Sequence, residues 1–216
     1  MISRTENINN FTIAEEIWNT ITHGLGLALS IAGLAVLVAF ASLNGSVLAI
    51  VSSAIYGSTL VIMYGSSTLY HAITHKQIKQ LFQTFDHSSI YFLIAGTYTP
   101  ITLVSLQGTW GYSIATVVWL AAIFGVYMKF AYPNRFEKLS LVLYLVMGWC
   151  IVVALDPLSD NMQSGGFYLL IAGGLSYTLG VFFYVNDHKT NYHAIWHLFV
   201  LGGSIFHFFM TILYII

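Results

Sequence analysis

Charge is scarce in this sequence. Only 7% of its 216 residues are Asp, Glu, Lys or Arg, and the formal net charge is −1. A water-soluble domain carries roughly a quarter charged residues. With 57% hydrophobic residues and a mean hydropathy of +0.78, the chain reads instead as an integral membrane protein. The same composition excludes a disordered chain and a nucleic-acid partner, since a charge near zero offers no surface for phosphates. Cysteine is nearly missing as well. Cys150 stands alone, so no disulfide forms within the chain, and in its apolar segment it reads as a small buried hydrophobe. The start, "MISRTENINNFTIAEE", lacks a basic n-region, an apolar h-region and a small-residue cleavage site, which predicts no cleavable signal peptide.

Apolar length is what the chain has in abundance. A bilayer core takes about 20 predominantly apolar residues as helix. Seven runs qualify: Ile21–Leu43, Val47–His71, Asp86–Leu106, Trp110–Ala131, Leu139–Leu155, Gly166–Val185 and Ala194–Ile216. Short connectors such as "NGS", "QGT", "YPNRFEK" and "DPLSDNMQSGG" join them. The expected fold is an all-α seven-transmembrane-helix bundle, one domain over 1–216 with a short N-terminal segment, 1–18. All seven Lys and Arg (Arg4, Lys76, Lys79, Lys129, Arg135, Lys138 and Lys189) fall on the side that the N-terminus shares. The positive-inside rule then predicts a cytoplasmic N-terminus and an extracytoplasmic C-terminus, in a multi-pass protein of the plasma or inner cell membrane. No internal repeat stands out, which weighs against inverted-repeat transporter designs. Pro100 is expected to kink the third span. The small residues of "IAGGLSYTLG" and "LIAGTYTP" allow helices to approach closely.

Ionisable and polar side chains within spans are costly and usually mark function. The second span ends in "GSSTLYHAITH", with Ser67 and His71 near its close. The third opens on the same side with "FDHSSIYF" and Asp86; the seventh opens there with "NYHAIWHLFV", carrying His193 and His197. Three distant segments thus bring these groups to one depth, on an orientation fixed by Lys and Arg alone. Residues four apart share a helical face, so His193 and His197 can point at one ion, with His71 as a third nitrogen. Taken alone, a His-x-x-x-His pair is more often incidental. Three protein ligands with a fourth position left to water is the arrangement of catalytic zinc. Asp86 serves as a fourth ligand or holds and deprotonates the water, and Ser67, one turn before His71, supports carboxylate, water or ligand by hydrogen bonding. In "EEIWNTITHG", Glu16, Asn19 and His23 form one stripe, expected to support the site rather than ligate. His75, followed by "KQIKQ", reads as interfacial beside a wet loop. His87, about 100° around the helix from Asp86, reads as a surface residue, and His188 as solvated. His207 lies about four turns beyond His193, too far for the same ion, and reads as a buried hydrogen-bonding group.

"SSTLYH", "FDHSSI" and "HAIWH", with the leading "EIWNTITH", resemble the progestin and adipoQ receptor family. Within it, "LIAGTYTPI" and "YHAIWHLFVLGGSIFHFF" look like the bacterial hemolysin III branch, and the resemblance covers nearly the whole chain. It implies seven helices around a zinc ion near the cytoplasmic face, held by His71, His193 and His197. Asp86 would act through a bound water and Ser67 would support the site. Eukaryotic relatives are described as ceramidases. The resemblance therefore implies a zinc-dependent hydrolase of a lipid amide or ester, with membrane lipid or a fatty acyl chain as partner. The alternatives are a non-enzymatic membrane sensor with structural zinc and a cytolytic or pore-associated protein. A pore needs a polar track across the bilayer, whereas here the polar groups cluster at one end.

Overall fold

The structure, a computed structural model, describes residues 11–216. Arg4 and most of the polar start considered above lie outside the described residues. The helices are α1 (Ile13–Asn44), α2 (Val47–Ala72), α3 (Lys76–Pro100), α4 (Gly108–Ala131), α5 (Glu137–Gly148), α6 (Leu155–Asn161), α7 (Ser164–Val185) and α8 (Tyr192–Tyr214). A π-helical turn at Ile101–Leu106 extends α3, and a 3-10 turn at Cys150–Ala154 joins α5 to α6. The result is seven segments long and apolar enough to cross a membrane, with no strand among the described residues.

Three spans differ by more than two residues at an end from the sequence reading. The first starts at Ile13 rather than Ile21, because Thr12 and Glu15 form a reciprocal capping box that begins the helix early. The third starts at Lys76 rather than Asp86, so "KQIKQ" is the opening of a helix and not a wet loop. The fifth was expected to stop at Leu155; it continues to Asn161. Asp156 and Pro157 sit in the first turn of α6, where an acid suits the helix dipole and a proline loses no intrahelical bond. Fully buried Leu158 anchors that short helix.

The helix type changes immediately after Pro100. Lacking an N–H, the proline cannot continue the α ladder. The chain passes into the π turn, closed by a 2.9 Å bond from the Gln107 N–H to the Thr102 carbonyl.

Lipid gives helices no hydrophobic reason to associate, so close packing and buried polar ties hold such a bundle. On α1 the inward stripe runs Asn19, His23, Gly26, Ser30, Gly33, Leu37, Ala41. Its small members let α1 lie against α2, and the Tyr64 ring occupies the space that a side chain at Gly26 would need. Ser204 of α8 ties three helices together: its hydroxyl lies 2.8 Å from Tyr64 Oη of α2 and 2.9 Å from Tyr177 Oη of α7. One core cluster gathers Leu37, Tyr56, Leu60 and Met63 with Val200. Another gathers Tyr98, Ile101, Val118, Met147, Leu158 and Met210. Between them runs an internal cavity, walled by residues of both clusters.

Candidate metal centre

α2 and α8 bring their histidines together at the end of the bundle that carries the Lys and Arg residues. His71, His193 and His197 are all buried, and one ring nitrogen from each lies within 4.8 Å of the others. Ring centroids are 5.1 Å apart for His71 with either partner and 4.7 Å for the α8 pair. The i,i+4 spacing places that pair on one face, as expected. No carboxylate among the described residues joins the triangle.

The surrounding groups decide which nitrogens are free. Glu16 of α1 accepts from His71 Nδ1 at 2.7 Å, which leaves Nε2 as the lone-pair atom. That Nε2 is buried and has no partner among the described residues. Lys79 locks the carboxylate from its other side, its Nζ 2.9 Å from Glu16 Oε1 and 2.8 Å from the Tyr70 carbonyl. For His197, Thr22 Oγ1 lies 3.0 Å and the Asn19 carbonyl 3.3 Å from Nδ1. The Thr22 hydroxyl already donates to the backbone carbonyls of Trp18 and Asn19, so it accepts from Nδ1–H and His197 presents Nε2. His193 Nδ1 is buried without a hydrogen bond, with Asp187 Oδ2 at 3.8 Å. Unpartnered buried nitrogens are costly. Three converging imidazoles, with Nε2 left as the lone-pair atom on His71 and His197, fit a divalent metal of the zinc class.

The structure also places the remaining residues singled out from the sequence. His23 stacks on His197 with centroids 3.4 Å apart, and its Nδ1 lies 2.7 Å from Ser67 Oγ. Ser67, Asp86, His23, His193 and His197 all line the internal cavity. Asp86 lines it from outside the imidazole triangle. Asn19 contributes its backbone carbonyl, while its buried amide side chain has no partner among the described residues. Phe11 covers the cluster from outside, its ring 4.8 Å from that of His193.

Two readings need correction. Lys79 is buried rather than part of a wet loop. His87 is not a surface residue: it borders the cavity, and its Nδ1 lies 3.4 Å from Glu137 Oε2. Thr22 was missed altogether, although it sits three residues after Asn19 on the same stripe.

A haemolysin-III related family model matches residues 11–208. The chain belongs to that family. It is 44% identical over 214 residues to Hemolysin-3 of Bacillus cereus, covering 98% of each chain. Against the Hemolysin-3 homolog of Bacillus subtilis (strain 168) it is 48% identical over 204 residues, 94% of this chain and 96% of that one. The human monocyte to macrophage differentiation factor is more distant, at 29% identity over 92% of this chain and 83% of its own. With seven apolar spans, this family member is a multi-pass cell-membrane protein.

Proposed function

We propose that this haemolysin-III family protein is a zinc-dependent hydrolase that cleaves an amide or ester of a membrane lipid. The observation that carries the reading is the meeting of three buried imidazoles, two of which, His193 and His197, line a mainly apolar cavity that also holds Asp86. His71, His193 and His197 would hold the ion. A zinc ion in such a set acidifies water to a pKa of about 7 and polarises a carbonyl. Glu16 fixes the His71 ring, and Thr22 with the Asn19 carbonyl fixes the His197 ring. Asp86 orients the attacking water and takes its proton as the water oxygen bonds to the carbonyl carbon. The same carboxyl returns the proton to the leaving nitrogen or oxygen as that bond breaks. The apolar cavity wall holds the acyl chain and excludes bulk water. The Lys and Arg bias would set this chemistry at the cytoplasmic leaflet.

Metal analysis paired with lipid mass spectrometry tests the reading. Purified protein should carry about one zinc per chain, and the His193→Ala, His197→Ala double variant should lose it. Asp86→Asn should keep zinc and fold yet release no fatty acid. Full zinc retention in the double variant would overturn the metal site.

A structural zinc clamp in a non-enzymatic sensor is the second reading, supported by the way α1, α2 and α8 all converge on the imidazoles. It predicts that metal removal lowers the melting temperature while no lipid is turned over. The names of the two Bacillus relatives point to lysis. Dye leakage from liposomes that is unaffected by the double variant would favour that route over both.

A further inference from the structure

The cavity has a second polar end. His207 stands ten residues beyond His197 on α8, about 15 Å along the axis, and about 21 Å beyond His193. It is 6% exposed and lines the same cavity as His193 and His197. Its Nε2 lies 3.2 Å from the Leu170 carbonyl oxygen. A carbonyl can only accept, so Nε2 carries the proton and Nδ1 keeps a lone pair. Nδ1 is buried and has no partner among the described residues.

The surroundings make room for this imidazole. Gly173 of α7 faces Nε2 so closely that a Cβ there would overlap the ring, and the Tyr177 ring packs beside it, with centroids 5.6 Å apart. Leu170 borders the ring, and Ile101, Ile151 and Ile171 also line the cavity. For a plain hydrocarbon tail, Phe or Leu at this position would serve without stranding an acceptor. His207 lines the far end of the channel, and an unpartnered lone pair on such a residue is matched by a ligand that brings its own donor.

We propose that His207 forms a distal subsite accepting a hydrogen bond from a hydroxyl near the tail of a long-chain lipid, so that the cavity prefers chains hydroxylated far from the head group. The proposal rests on the reading that the cavity takes an acyl chain, but on no reaction there. An extended chain advances about 1.2 Å per bond, so the 15 to 21 Å separation corresponds to roughly 12 to 17 bonds. An ω-hydroxy sixteen-carbon acid has that length.

Competition binding on the purified full chain tests this. Hexadecanoic acid, its ω-hydroxy derivative and its α-hydroxy isomer would each displace a fluorescent fatty acid. The ω-hydroxy acid should bind wild type about fivefold more tightly than the parent, and the α-hydroxy isomer should gain nothing. His207→Phe should bind the parent acid as wild type does and show no preference. Equal affinities in wild type overturn the subsite without recourse to a variant, and so does a preference that survives in His207→Phe. If none of the three acids binds, the acyl-chain reading falls and takes the subsite with it.

Discussion

Glu16 Oε2 of α1 accepts from His71 Nδ1 of α2 at 2.7 Å, and the same carboxylate is held by Lys79 of α3. Three helices therefore meet on one side chain next to the candidate ion site. A carboxylate behind a ligating imidazole sets its tautomer and raises its basicity, and removing one typically costs 10–100-fold in metal affinity. Glu16→Gln should weaken zinc binding by about that factor, read by competition with a chelator. Unchanged affinity would show that the charge on this carboxylate does not tune His71.

Thr22 and the Asn19 carbonyl share the Nδ1 proton of His197. Thr22→Val removes one of two acceptors and keeps the shape. Zinc affinity should fall by less than in Glu16→Gln, about tenfold or under, while the spans stay folded by circular dichroism.

Lys129 and Glu137 make a 2.7 Å ion pair between α4 and α5, with Lys129 almost fully buried. Glu137→Ala strands that ammonium group and should destabilise the protein by roughly 3 kcal/mol. Replacing both residues by Met should recover most of the loss. Thermal unfolding in detergent compares both variants with wild type; an unchanged melting temperature in Glu137→Ala would mean that the pair contributes little.

Gly96 and Gly148 should respond oppositely to the same substitution. A Cβ at Gly96 would overlap the Thr59 side chain where α3 crosses α2, whereas a Cβ at Gly148 meets nothing within 4 Å. Gly96→Ala should cost about 1–3 kcal/mol through overpacking. Gly148→Ala should be neutral or stabilising by a few tenths of a kcal/mol. The same melting measurement reads both.

The sequence carried the spans and the imidazole meeting point because each rests on a local rule: apolar length, helical spacing and a bias of Lys and Arg. Tertiary facts were harder to read. Lys79 sits in a polar run and looks solvated until its ammonium group reaches Glu16 on another helix. His87 turns away from Asp86 around α3, and that angle suggested a surface. But α3 is the most enclosed span, with 67% of its apolar window buried, so turning away from one neighbour means facing another. The early start of α1 was legible in principle, since Thr12 and Glu15 have capping-box spacing. The 3-10 break at Cys150–Ala154 was not, because nothing in "WCIVVA" departs from an ordinary apolar helix.

The Asn19 and Thr22 contacts to His197 join residues separated by 178 and 175 positions in the chain. During synthesis the first helix enters the bilayer long before its partner has been translated. A ribosome-bound chain lacking its final segment holds only His71 of the three imidazoles, so it offers no trap for a divalent ion. On the proposed metal reading, the centre would close only when the last helix has inserted in the correct register beside the first.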